Sequence, residues 1–145
     1  MGDGVKVIGY WLLVIGDRMN LRSNYRTLVA YTEAKELVKI VYALLKKFPK
    51  EEQYAICDQL RRAVISIPSN IAEGMGRFSQ KEQVHFIEIA FGSLMEVGAQ
   101  MDVACDLNYI SVKDLDIVDQ KIDVVASLLS GLRNKRIGVD KDNNL

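Results

Sequence analysis

The 145-residue chain contains few of the residues that usually carry chemistry: one histidine and two cysteines. Because His85 is the only histidine, the ExxH motif that it forms with Glu82 cannot be repeated, which excludes the di-iron sites that helical bundles build from two such motifs. Cys57 and Cys105 have no CxxC spacing. We therefore expect free thiols of a cytoplasmic protein, with no metal and no cofactor.

Long apolar runs are also scarce. The clearest one occupies residues 7–16, which is too short for a bilayer span of roughly 20 residues. Asp17 and Arg18 follow it where a secretory signal would have a small-residue cleavage site. Met19 is a second candidate start, and the regular patterns all follow it. We expect residues 1–20 to be an extension outside the core, residues 21–138 to form one domain, and residues 139–145 to be a disordered tail.

The chain has no net charge, because its 19 basic residues balance its 19 acidic ones. The balance hides a strong polarity, with a net charge of +5 over residues 21–81 and −7 over residues 82–132. A basic face of this kind could bind nucleic acid. It could also pair with the acidic face of another copy in a head-to-tail ring. Net neutrality favours assembly.

After Met19, apolar residues recur at three- and four-residue intervals in four segments, as in amphipathic helices. The first runs from Tyr25 to Phe48, where Pro49 ends it, and the second is expected to open at Glu51 and Glu52. Capping boxes at Ser79–Glu82 and Ser111–Asp114 open the third and fourth, and Gly138 ends the fourth. Short connections between four helices predict an all-α, antiparallel up-down-up-down four-helix bundle.

The run SIPSNIAEGMGR, residues 66–77, places Pro68 inside the second helix. A proline there removes a backbone donor and crowds the preceding turn, so nearby polar side chains are expected to bond to the freed backbone or to one another. The predicted structural polar network consists of Ser69, Asn70, Glu73, Ser93, Glu96 and Gln100. A carboxylate pair for acid–base chemistry or metal binding is the alternative, but no nucleophile or histidine accompanies these residues.

Basic residues also lie near the ends of the first three helices. The candidate nucleic-acid contacts are Lys46, Lys47, Arg61, Arg62, Arg77 and Lys81, with Lys50 beside the first two. Such cations would contact phosphates in a salt-dependent way that ignores base sequence. A solvated surface with ion pairs explains them equally simply and is favoured at zero net charge.

Three stretches carry a resemblance to a known family: FPKEEQY at 48–54, QLRRAVISIPSNIAEGMGR at 59–77 and IAFGSLMEVGAQ at 89–100. They resemble the 23S ribosomal RNA intervening-sequence proteins, a fold family that includes the accessory variability determinant protein of diversity-generating retroelements. The resemblance implies a four-helix bundle that assembles as a homopentamer and has no assigned enzymatic activity. The retroelement proteins act with a reverse transcriptase and bind nucleic acid through a basic surface, whereas this chain is neutral.

The sequence therefore predicts a non-enzymatic, cytoplasmic protein whose main partner is itself, forming a homopentameric ring that serves as a scaffold. The alternative is an accessory protein that binds RNA or DNA and works with RNA or a reverse transcriptase. Neither a membrane nor a small-molecule substrate is expected as a partner.

Overall fold

A computed structural model describes residues 6–10 and 24–138, which contain helices and no strand. The four long helices are α1 (Val29–Leu45), α2 (Ile56–Met75), α3 (Gln80–Asp106) and α4 (Val112–Ile137). A 3₁₀ turn at Lys50–Glu52 connects α1 to α2. The prediction of an all-α helical bundle is confirmed. None of the described helices is long and apolar enough to cross a membrane.

Each long helix packs against two others: α1 and α3 both contact α2 and α4. Bonds between α2 and α3 join Ser66 to Ser93 and Gln59 to Gln100, so residue numbers rise along one helix as they fall along the other. These contacts are the ones expected of antiparallel neighbours, and they agree with the up-down-up-down order.

The core is one cluster of apolar side chains contributed by all four helices. Leu37 of α1, Leu60 and Ile67 of α2, Leu94 of α3 and Leu129 of α4 are fully buried. Burying each such side chain stabilises the fold by about 1.5–3 kcal/mol. The described part of the chain buries no charged side chain, so the described core is built from apolar packing.

The expected opening of the second helix at Glu51 and Glu52 is wrong. Both residues belong to the 3₁₀ turn that follows Pro49, and α2 starts only at Ile56. Glu52 is held there because the Tyr109 hydroxyl donates a 2.9 Å hydrogen bond to its carboxylate. The Glu52 carboxylate therefore interacts with a distant tyrosine and not with the positive end of the α2 dipole.

The first helix is also shorter than predicted, spanning Val29–Leu45 and not Tyr25 to Phe48, whereas the predicted ends at Ser79, Ser111 and Gly138 are close to those observed. The Ser111 hydroxyl accepts from the Asp114 amide while Asp114 accepts from the Ser111 amide, which is a complete capping box. Ser79 caps α3 by accepting from the Glu82 amide at 3.1 Å. Gly138 ends α4 in the left-handed region at φ 70°. The predicted disordered tail, residues 139–145, and most of the predicted N-terminal extension lie outside the described residues.

Candidate functional site

Pro68 lies within α2 without ending it. The hydroxyl of Ser69 donates to the Ile65 carbonyl and the amide of Asn70 donates to the Ser66 carbonyl, each at 2.8 Å. These carbonyls belong to the turn that the proline disturbs, since a proline removes one hydrogen bond and loosens its neighbours. The carbonyl that loses its helical donor is that of Val64, four residues before Pro68. The two side chains therefore bond to neighbouring carbonyls of the same turn.

The same residues connect α2 to α3. Asn70 also donates to the Ser66 hydroxyl at 2.8 Å, and the Ser66 and Ser93 hydroxyls are 2.9 Å apart. The predicted network contains Asn70 and Ser93 but lacks Ser66, the residue that joins them. Its position four residues before Asn70, on the same side of the helix, was the available signal.

Gln100 and Glu96 form a separate group farther along α3. Gln100 donates from its side-chain nitrogen to Gln59 of α2 and to Glu96, each at 3.1 Å. Gln59 is a second member that the sequence reasoning missed. Four of the six predicted residues are therefore divided between two clusters, Asn70 and Ser93 in one and Glu96 and Gln100 in the other, and the six do not form one network.

Glu73 belongs to neither cluster, because Arg77 binds its carboxylate at 2.8 Å on the surface. Glu73 and Glu96 thus bond to different residues, and the described contacts do not pair them. The arrangement supports the structural interpretation of these polar residues.

Three of the six candidate nucleic-acid contacts are already neutralised by acids. Lys47 binds Asp114 at 2.9 Å, Arg62 binds Asp58 at 3.0 Å, and Arg77 binds Glu73. The Lys47 ammonium, together with bonds from Ser111, lowers the pKa of the Asp114 carboxyl. A phosphate would have to compete with these carboxylates, so the three are poor candidates.

Lys46 and Arg61 instead meet at a groove beside the connection from α1 to α2. The groove has a volume of about 360 Å³ and is lined by Tyr42, Leu45, Lys46, Phe48, Pro49, Lys50, Gln53, Cys57 and Arg61. Arg61 donates to the Gln53 carbonyl at 3.2 Å. Lys81, the sixth candidate, lies at the start of α3 and away from this groove. We name this feature the basic groove.

Carboxylates collect on the opposite pair of helices. Asp119 of α4 is partly desolvated and is repelled by Asp102, Asp123 and Asp116, and these effects raise the pKa of its carboxyl. The charge polarity of the sequence is therefore present in the folded molecule, with free cations at the α1–α2 connection and clustered acids on α3 and α4.

Comparison with known proteins identifies the family. The family model described as 23S rRNA-intervening sequence protein matches residues 26–131. The chain belongs to this family. The match covers α1, α2, α3 and most of α4, so the residues that identify the 23S rRNA-intervening sequence family are those of the four-helix bundle.

One solved structure resembles this 23S rRNA-intervening sequence protein over 72% of the chain and 98% of its own, with a TM-score of 0.67 and 18% identity. It is a protein of unknown function from the S23 ribosomal protein family of Bacteroides thetaiotaomicron VPI-5482. At this identity the likeness shows the shared fold. No curated protein matches the chain. Neither the family description nor the description of that structure names a reaction.

The two cysteines of this family member are both free thiols, and burial raises the pKa of the Cys57 thiol. A raised pKa disfavours the reactive thiolate. Within residues 6–10 and 24–138, no three His, Cys, Asp or Glu side chains are grouped so that they could hold a metal ion.

The outward faces of α3 and α4 carry apolar residues that the bundle does not cover. Val103 and Leu107 of α3 are about half exposed, as are Ile117 and Val124 of α4. Val103 and Leu107 are four residues apart, and Ile117 and Val124 are seven apart, so each pair shares one side of its helix. We name these four residues the outer apolar face.

Proposed function

We propose that this 23S rRNA-intervening sequence protein is a non-enzymatic interaction protein that assembles with copies of itself into a closed ring. The observation that carries the proposal is the outer apolar face. The resemblance found in the sequence gives the expected ring size, a homopentamer. Its two free thiols support the expected cytoplasmic location, since disulfides are rare there.

A helix with apolar residues on more than one side is normally covered on more than one side. The inward sides of α3 and α4 cover the core, and Val103, Leu107, Ile117 and Val124 lie on other sides. Val103 and Leu107 form one exposed pair on the α2 side of the bundle, and Ile117 and Val124 form another that flanks Lys121, the lysine that bonds to Glu33 of α1. Exposed apolar patches mark interaction surfaces in soluble proteins. A second copy of the chain is the partner that every molecule of this protein encounters.

Charge supports a head-to-tail contact over a two-fold one. The free cations belong to the α1–α2 connection, whereas the acidic cluster around Asp119 belongs to α3 and α4. A two-fold contact can pair the two patches only if both lie within one self-complementary surface, whereas a head-to-tail contact joins the basic surface of one copy to the acidic surface of the next. Repeated head-to-tail contacts close into a ring when the rotation between copies permits it.

Light scattering on Val124→Lys and Ile65→Lys tests the proposal. Both side chains are 43% exposed, but only Val124 belongs to the outer apolar face. We expect the wild type and Ile65→Lys to have a multiple of the 16.3 kDa chain mass at micromolar concentration, and Val124→Lys to shift toward one chain. A monomeric wild type would contradict self-assembly, and equal behaviour of the two variants would contradict the chosen face.

Nucleic-acid binding is a second candidate function, and the basic groove is the observation that favours it. Its cations, unlike Lys47, Arg62 and Arg77, have no carboxylate partner in the described structure. An accessory role with RNA or a reverse transcriptase would belong to this candidate. Absence of binding to labelled RNA and DNA at about 50 mM salt would exclude it, because phosphate contacts are strongest at low salt.

A further inference from the structure

We infer that the basic groove holds one nucleotide unit of a single-stranded nucleic acid, with its phosphate at Lys46, Lys50 and Arg61 and its base against the Tyr42 ring. This inference rests on the second candidate function and assigns it to one surface. Of the six candidate nucleic-acid contacts predicted from the sequence, only Lys46 and Arg61 belong to this site.

Charge complementarity points to an anionic ligand. Three of the described lining residues are cations and none is an acid. Lys46 and Lys50 are exposed, and neither has a bonded partner among residues 6–10 and 24–138. Glu51 and Glu52 lie in the same turn as Lys50, but among the described residues no carboxylate lines the groove or pairs with its cations. A bound phosphate would therefore relieve the repulsion among the three positive charges.

Arg61 is the positioned member of the three. It is half-buried, and its Nη1 donates to the Gln53 carbonyl, which fixes the plane of the guanidinium at the groove. A guanidinium retains further N–H donors when one of them is occupied. Those donors can bond to two phosphate oxygens at once, which the mobile ammonium of a lysine does less well.

The apolar wall of the groove distinguishes a nucleotide from a simple anion. Tyr42 is 40% exposed and lies with Leu45, Phe48 and Pro49 beside the cations. An inorganic phosphate would gain nothing from that wall. A base can stack on an exposed aromatic ring whatever its identity, which is how many proteins hold single strands. The base of a double helix is already stacked and cannot reach the ring.

A polymer suits the site better than a free nucleotide. One groove offers a few contacts, so a single unit would bind weakly. Copies in an assembly would present several grooves to one strand, and linked weak contacts raise overall affinity by about 10²–10⁴. Assembly and nucleic-acid binding would then reinforce each other.

The test is fluorescence anisotropy with a labelled single-stranded oligouridylate of about 30 nucleotides, titrated between about 50 and 200 mM salt. The groove variant is Lys46→Gln/Lys50→Gln. The matched control is Lys113→Gln/Lys135→Gln, which removes two exposed lysines that also lack bonded partners in the described structure. Tyr42→Leu removes the aromatic ring and keeps the wall apolar.

We expect the groove variant to lose affinity about tenfold or more at low salt, and its logarithmic salt slope to fall by about 1.4, which is 0.7 for each lost single-strand contact. The control should change affinity about twofold or less. Tyr42→Leu should weaken binding about fivefold or more with an unchanged salt slope, because stacking releases no counterions. The mass of the assembly should be the same for all three.

Four results would overturn the inference. Equal losses in the groove and control variants would assign binding to general surface charge and leave the second candidate function standing. No binding by the wild type at about 50 mM salt would remove both. A fall in assembly mass for Lys46→Gln/Lys50→Gln would make a neighbouring copy the occupant of the groove. Competition by free uridine monophosphate as strong, per nucleotide, as by the oligomer would replace the strand with a free nucleotide.

Discussion

At the residue scale, the polar side chains around Pro68 differ in what they contribute. Asn70 bonds to the backbone and side chain of Ser66, and Ser66 reaches Ser93 on the next helix. Glu73, which the sequence groups with them, forms an ion pair with Arg77 in which both side chains are well exposed. The same four-residue spacing along one helix thus produces a part-buried connection between helices at one position and a surface ion pair at another.

This difference predicts unequal costs of truncation. Asn70→Ala should lower the free energy of unfolding by about 1–3 kcal/mol, because it removes two hydrogen bonds and leaves part-buried partners unsatisfied. Glu73→Ala should cost about 0.5 kcal/mol or less, as exposed helical ion pairs do. If both residues belonged to one polar network, as the sequence predicts, each change would cost more than roughly 0.5 kcal/mol. Urea denaturation of the two variants decides, and equal costs would contradict the assignment of Asn70 to the network.

At the element scale, the described parts of α3 and α4 carry more exposed large apolar residues than α1 and α2 do. Glycines occur in these outward positions too. A Cβ added at Gly92 or Gly131 would meet no atom within 4 Å, so the bundle itself does not require a glycine there. At Gly74 of α2, by contrast, an added Cβ would lie 3.0 Å from the Phe86 Cβ and 3.4 Å from the Gln83 carbonyl oxygen.

Alanine substitutions should therefore have opposite signs on different elements. Gly131→Ala should stabilise the fold by up to about 1 kcal/mol, because alanine is the better helix former and has free space there. Gly74→Ala should destabilise it, because α3 must move to admit the methyl group. Thermal unfolding of both variants checks the signs. A destabilised Gly131→Ala with reduced assembly mass would show instead that a second copy approaches at Gly131.

At the scale of the whole molecule, the separation of charge affects stability. The pKa of the Asp119 carboxyl is raised by burial and by neighbouring aspartates, whereas that of Asp114 is lowered chiefly by Lys47. A raised pKa contributes stability below the ordinary aspartate value that is lost as pH rises through the raised value. A lowered pKa contributes stability above the ordinary value that is lost as pH falls through the lowered value.

Neutral substitutions at the two positions should consequently act in opposite directions near pH 7. Asp119→Asn should raise the free energy of unfolding by a few tenths of a kcal/mol, the range of surface changes, and the gain should shrink as pH falls toward about 4. Asp114→Asn should lower stability at pH 7 because it loses the Lys47 pair and part of the capping box. Urea titrations in the Val124→Lys background separate these effects from assembly. Stabilisation by Asp114→Asn would contradict the assignment.

Local patterns in the sequence determined most of the fold. Apolar periodicity, the capping serines at 79 and 111, and Gly138 depend on residues within one or two turns, and they placed three helix ends within about two residues. The error at Glu51 and Glu52 arose where a distant residue, Tyr109, decides the local structure. The family, too, could be recognised from the sequence, since its motifs are continuous stretches.

Only the tertiary structure decided which polar and basic side chains act together. Ser66 joins Asn70 to Ser93 because α2 and α3 meet at that level, a relation that spacing along one helix does not contain. Lys46 and Arg61 share a groove while Lys47, one residue away, turns to Asp114 on α4. These cations are equivalent in the charge composition of the sequence. Their electrostatic interaction energies differ because the packed helices bring different partners within a few ångströms of each one.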